Sequence, residues 1–193
     1  MDTEIHVEQT MNRLRVYQSS PRAFLINHQI QILQEDGFET IGKAQGLWIP
    51  SICDNVEAII LLDAVDQDFY ARGEATLRHE EDFDEYLLSW YSVSHIQIDE
   101  PYRGNGFGHQ AMCEMVLPYQ NPGSLTVIQP GPIITKPGYM TEGEKERATQ
   151  SLQQYWHDFG FRPIPWDPRF YFHIGSLTWP HGSWMMQNYN GPL

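Results

Sequence analysis

The chain is 193 residues long, 41% hydrophobic and only 19% charged, which describes a folded chain with its own core and excludes disorder. Its 12 Lys+Arg stand against 25 Asp+Glu, a formal net charge of -13. Nucleic acids and anionic membranes are therefore poor general partners, while a cationic substrate such as an amine is favoured unless the acidity serves solubility alone.

Two well-separated cysteines, Cys53 and Cys113, offer neither a disulfide framework nor a CxxC site. The eight histidines form no HxxxH or HExxH pair, so no metal is expected. A length within about 100–200 residues, without an internal repeat or a dividing linker, predicts a single domain over 1–193. No stretch approaches the roughly 20 apolar residues of a membrane span, and no basic, apolar leader opens the chain, so a cytoplasmic protein is expected.

In chain order, Val7, Met11 and Leu14 recur at helical spacing after Thr3 and predict a first helix over roughly Glu4 to Tyr17. In HQIQILQEDGFETI, residues 28–41, apolar positions alternate around Asp36-Gly37, a hairpin signal within His28 to Ile49. Asn55 can cap a helix with Ala58, Leu61, Leu62, Val65 and Phe69 on one side. Ile59 and Ile60 fill the gap and leave a buried strand as the competing reading. The acidic run HEEDFDEYLLSWY, residues 79–91, sets Phe83, Leu87 and Trp90 at helical spacing, its carboxylates forming a solvated face or lining a substrate entrance.

SVSHIQI, residues 92–98, is a strand by its β-branched residues. From Gly106 a helix carries Phe107, Ala111, Met112 and Met115 on one stripe and stops before Pro118. SLTVIQP, residues 124–130, is a second short strand, and GPIITKPGYM, residues 131–140, is loop. Thr141 and Glu144 form a capping box before a helix whose buried stripe is Ala148, Leu152, Tyr155, Trp156 and Phe159, with Gly160 as its stop. RFYFHI, residues 169–174, is the final strand. The tail from Gly175 holds two Trp and two Met, and is expected to pack on the body or on a partner, which leaves a homodimer open.

The glycines behind Arg103 carry the chemistry. A Walker A loop forced onto GFETIGKA, residues 37–44, fails because Ala44 stands where magnesium needs Ser or Thr. A dinucleotide fingerprint through Gly106, Gly108 and Ala111 is weak. Turn-like residues separate strand from glycine, and Gln129 stands where the ribose-binding acid belongs. That reading, a nucleotide-binding oxidoreductase, predicts nicotinamide binding. The third form is R-x-x-G-x-G in RGNGFG. A strand, a glycine turn and a helix start aim successive N–H groups into one concavity, with the helix dipole adding positive potential. Such a nest suits a pyrophosphate.

Through SHIQIDEPYRGNGFGHQAM, residues 94–112, the sequence resembles the Gcn5-related N-acetyltransferase superfamily, whose signature is a central strand, [QR]-x-x-G-x-[GA], and a helix. The resemblance continues through SLTVIQ and LQQYWHDFGF and spans about Ser92 to Ile174. It implies an α/β fold with a mixed, mostly antiparallel central sheet flanked by helices. It also implies transfer of an acetyl group from acetyl-CoA to an amine, best a small or polyamine-like cation, with a protein N-terminus open and tRNA disfavoured by charge.

By that resemblance the backbone of Ile96, Gln97 and Ile98 would hold the pantetheine arm and polarise the thioester, and Arg103, Gly104, Asn105, Gly106, Phe107, Gly108 and His109 would hold the pyrophosphate. The tyrosine that commonly serves as general acid is replaced by Trp156, counted here with the cofactor-binding residues, and the frequent asparagine falls on Thr149. Tyr155, about 100° round the helix from Trp156, or another hydroxyl such as Tyr171 would then substitute, or the thiolate would leave unassisted. His95, Asp99 and Glu100 are the candidate bases, with His157 and His173 more remote. His95 alternates with Ile96 and Ile98 and so faces the other side of the sheet. Trp156 also leaves open a member of the fold that binds CoA without turnover, as a sensor or interaction module.

Overall fold

The computed structural model describes residues 5–14, 23–52, 54–79, 87–121, 123–133 and 140–175. Its first element is a correction. The residues expected as a helix form strand β1 (Ile5–Leu14), antiparallel to β2 (Ala23–Gln34) along its whole length. Helical spacing of Val7, Met11 and Leu14 concealed an alternation in which Ile5, Val7 and Gln9 are half-buried and His6, Glu8 and Thr10 exposed. So sparse an apolar stripe gives a helix little to bury. Pairing with β2 satisfies a row of backbone groups and sets Ile5 and Val7 against the core.

The Asp36-Gly37 hairpin forms as the alternation requires, with β2 opposite β3 (Gly37–Ile49) and Gly37 at φ +125°. After it, the expected single helix divides into α1 (Asn55–Asp63) and α2 (Gln67–Leu77), so Val65 and Phe69 do not extend the stripe of α1. Aspartates set both starts. Asp54, not Asn55, accepts from the N–H groups of Val56 and Glu57 at 2.8 and 3.0 Å, and Asp66 accepts from that of Asp68 at 2.7 Å.

Strand β4 (Ser89–Ile98) contains SVSHIQI and takes in Trp90, which the acidic run had placed on a helix. Trp90 is fully buried, and its Nε1–H donates to Thr76 Oγ1 at 3.0 Å, fastening the sheet to α2. Residues 80–86, with Phe83, lie outside the described residues, as do Cys53, residues 134–139 and the tail beyond Gly175.

Next come a 3-10 turn (Glu100–Tyr102), α3 (Phe107–Val116), a second 3-10 turn (Leu117–Tyr119) and β5 (Ser124–Ile128). Helix α4 (Glu142–Asp158) carries the expected capping box. The hydroxyl of Thr141 accepts from Glu144 N–H at 3.3 Å, and the Glu144 carboxylate accepts from Thr141 N–H at 2.8 Å. A short strand, β6 (Arg162–Ile164), was not foreseen because Pro163 argues against a strand. It lies at the sheet edge, where a missing N–H is tolerated, and pairs with β7 (Asp167–Ile174), the strand that includes RFYFHI.

The strands make one seven-stranded sheet in the order β1-β2-β3-β4-β5-β7-β6. Among the described residues, only β4 and β5 pair in parallel. This is a single α/β domain with a mostly antiparallel sheet covered on both faces. On one face Met112 and Met115 of α3 and Trp156 of α4 pack over Ile26, Tyr91 and Val93. On the other, Leu61 and Leu62 of α1 and Leu77 of α2 pack over Leu47, Trp90 and Val127. Among the described residues, no helix is long and apolar enough to cross a membrane, and no group of His, Cys, Asp or Glu could hold a metal ion.

Gly42, opposite Ile98, lets β3 run close to β4: a Cβ there would lie 2.3 Å from the Gln97 carbonyl oxygen. Backbone cannot step aside as a side chain can. Gly42→Ala is expected to cost about 1–3 kcal/mol, read as a lower urea midpoint. An unchanged midpoint would mean that the two strands are not so closely apposed.

Candidate functional site

Pairing between β4 and β5 runs from Ser89 opposite Ser124 to Val93 opposite Ile128, where β5 ends. Strand β4 continues to Ile98, held from there only by β3. Residues 94–98 therefore have a neighbouring strand on one side and an opening on the other. At its closed end Val93, Ile128 and Tyr171 stand in one row across β4, β5 and β7.

The last part of β4 is also shifted in phase. Gln45 pairs with His95 but Gly46 pairs with Val93, so Ser94 is an extra residue, a bulge. Past it, Ile96 and Ile98 join Tyr91 and Val93 in the core beneath α3 and α4. His95 and Gln97 consequently face α1 and α2. The expected opposition of His95 to the two isoleucines is present, and the bulge decides which face each takes.

Beyond β4 the chain enters the glycine turn. Gly104 and Gly106 have φ of +78° and +77°, a left-handed conformation that favours glycine, and a Cβ on either would meet nothing within 4 Å. The N–H groups of Gly104, Asn105, Gly106, Phe107 and Gly108 find no acceptor among the described residues. The turn is braced from outside. Asn105 Nδ2 donates to the carbonyls of Tyr102 and Arg103 at 3.1 and 3.2 Å, and Arg103 Nε donates to that of Ile98 at 2.9 Å. That bond uses the Ile98 carbonyl and one edge of the Arg103 guanidinium.

Gly108 serves a different purpose. A Cβ there would lie 2.8 Å from Tyr155 Oη, so its absence admits the tyrosine of α4 to the first turn of α3. His109 lies between Tyr155 and Phe159, stacked on both with ring centroids 3.7 and 4.3 Å away. Its backbone N–H bonds to Gly106 O and its ring is buried, so it docks α3 on α4 and does not face the turn. Burial holds its pKa down to about 4. The other buried histidine, His28 on β2, shares a 2.9 Å hydrogen bond with the Tyr91 hydroxyl and is also lowered by burial to about 4. Trp156 is buried in the core, so on α4 it is Tyr155 that reaches the head of α3.

The sequence-predicted acid–base candidates thus fall on different sides. Tyr171 packs in the α3/α4 core with burial raising its pKa. His95 faces α1/α2, where burial first, then Lys43 and Arg72, lower its pKa. Asp99 and Glu100 are exposed at the rim. His157 is exposed on α4, and His173 Nδ1 lies 3.4 Å from Gly160 O, away from the opening. Arg72 escaped the sequence reading, since one arginine in QDFYARGEATL looks like a solvated helix position. The neighbouring Ala71 and Gly73 were the only sign of close packing. Comparison with protein-family models, curated proteins and solved structures finds no match to the chain.

Two histidines buried neutral make stability depend on pH. Their folded pKa of about 4 lies below the unfolded 6.5, so the unfolded chain binds more protons between those values. This stability is complete above pH 6.5 and is lost as pH falls toward 4. The loss is at most about 1.4 kcal/mol per histidine per pH unit. Urea midpoints are expected to drop between pH 7 and pH 5, and His109→Gln should flatten that slope relative to its own pH 7 value. A pH-independent midpoint would contradict the burial of both rings.

Proposed function

We propose that this chain is an acetyl-CoA-dependent N-acetyltransferase with the Gcn5-related fold. One observation carries the reading. The parallel strands β4 and β5 part after Val93, and the opened edge of β4 leads directly into a turn whose N–H groups have no partner among the described residues, at the head of α3. An extended arm ending in a pyrophosphate has this shape and this hydrogen-bonding demand.

Two features of the turn suit such a ligand. The N–H groups from Gly104 to Gly108 lack acceptors among the described residues, and the space beside Gly104 and Gly106 is open. They would hold the pyrophosphate, each charge-assisted bond contributing about 1.5–3 kcal/mol. The backbone of Ile96 and Gln97 would hold the pantetheine arm, the Ile98 carbonyl being already bonded to Arg103. Bound acetyl-CoA supplies an acetyl group activated as a thioester. In the overall reaction the amine nitrogen gains the acetyl carbon, the C–S bond breaks, and one proton passes from nitrogen to sulfur.

The chain's own groups can manage that proton. His95 has a lowered pKa, stays unprotonated at neutral pH and is suited to taking a proton from the amine. Tyr155 brings a hydroxyl to the first turn of α3, and Tyr171 keeps its proton at the closed end of the opening. Base and acids lie on opposite faces of β4, so the proton would be taken from one side of the sheet and returned on the other. The acceptor is an amine, and a net charge of -13 favours a small molecule over a nucleic acid.

Calorimetric titration of acetyl-CoA tests this directly. Micromolar binding is expected, abolished by Gly106→Glu, which sets a carboxylate among the donors, and weakened less by Gly106→Ala. Tyr155→Phe should lower kcat by about 10²–10⁴-fold while leaving the acetyl-CoA affinity in place. Wild-type protein that fails to bind acetyl-CoA would overturn the proposal. Binding without release of CoA on a broad amine panel would leave a CoA-binding sensor in its place.

A further inference from the structure

Arg72 on α2 is 2% exposed, and its Nε and Nη1 are buried without a hydrogen-bond partner among the described residues. No carboxylate of the described residues lies within ion-pair distance of it. Its charge rests against the Phe69 ring, 5.5 Å away, with Asp66 and Asp68 close enough to favour it without pairing. A guanidinium does not escape burial by losing its proton. A buried charge with unmade hydrogen bonds is strongly destabilising, and a bound anion would supply what this one lacks.

Its position says which group. Helix α2 is tied to the sheet by Trp90 Nε1 donating to Thr76 Oγ1 and to the β6–β7 turn by Trp166 Nε1 donating to Ala75 O at 2.7 Å, while within the helix the Thr76 hydroxyl donates to the Arg72 carbonyl at 2.7 Å. Ser92, on the same face of β4 as Trp90, holds another buried group without a partner among the described residues, its hydroxyl. His95 is the next residue of β4 to face this way past the bulge, and the charges of Arg72 and Lys43 both reach it. In a chain of net charge -13, the two side-chain charges that act on the proposed base are thus both positive.

We propose that the acceptor amine carries a carboxylate, and that Arg72 binds it on the α1/α2 face of the sheet while the amino group reaches His95. The proposal rests on the acetyltransferase reading for the amine half and on Arg72 alone for the carboxylate half. A single negative charge is preferred to a phosphate dianion, because Asp66 and Asp68 flank the guanidinium and repel a double charge more strongly. A zwitterionic amino acid, or a molecule with the same two groups, fits. A polyamine does not.

The test pairs amino acids with their decarboxylated amines, adds phosphoethanolamine, and follows CoA release together with melting temperature, in wild type, Arg72→Lys and Arg72→Met. Wild type is expected to favour the carboxylate-bearing partner of each pair by about 10²–10³-fold in kcat/KM, the scale set by a buried charge losing its partner. Arg72→Met should erase that preference, keep its acetyl-CoA affinity and melt no lower than wild type when unliganded. Arg72→Lys should recover part of the preference. Equal or better use of decarboxylated amines or phosphoethanolamine would overturn the proposal. So would a preference that survives in Arg72→Met, or an Arg72→Met protein that melts well below wild type. Failure to bind acetyl-CoA, or to acetylate any amine, would sink the transferase reading instead. Arg72 is then judged by melting temperature alone, where amino acids should stabilise wild type and not Arg72→Met.

Discussion

After Val93, strand β4 has a neighbour on one side only, and the proposed chemistry depends on that imbalance. Backbone N–H and C=O groups inside a protein require partners, and a strand that parts from its neighbour leaves a row of them to be satisfied by something else. Strand β5 ends at Ile128, while β3 accompanies β4 as far as Gly42 opposite Ile98, so the opening is one-sided. The bulge at Ser94 adds a change of phase. It turns the isoleucines into the α3/α4 core and His95 toward α2, giving each face of the opening a different chemistry.

Around that edge the glycines divide their tasks. Gly104 and Gly106 permit a left-handed turn that leaves N–H groups outward, whereas Gly108 has ordinary backbone geometry and serves as a gap for Tyr155. His109 then joins α3 to α4 as the middle ring of a stack, at the cost of being held neutral far below its usual range. Docking of the two helices and placement of the tyrosine hydroxyl are consequently a single event, one glycine and one histidine apart in sequence.

Charge behaves differently at two scales. Summed over the chain it is strongly acidic, which governs solubility and long-range attraction. Beside β4 the groups that act on His95 are Lys43 and Arg72, both cationic, and at close range in a poorly solvated site these outweigh a distant surface excess. An acceptor inferred from net charge and one inferred from the cleft therefore differ in sign.

The sequence by itself determined the features written in neighbouring residues. These are the hairpin at Asp36-Gly37, the capping box of Thr141 and Glu144, the strand SVSHIQI and the glycine turn that closes it into α3. Each is fixed by local backbone geometry, so a few residues suffice to specify it. Tertiary structure decided what depends on distant partners. Strand β1 is a strand because β2 offers it a ladder, Trp90 left its helical pattern because its backbone pairs between Ile49 and Leu125, and β6 tolerates Pro163 because it lies at an edge. The bulge at Ser94 and the burial of Arg72 belong to the same class. No spacing along the chain encodes them, because both exist only once β3, β4 and α2 have been packed together.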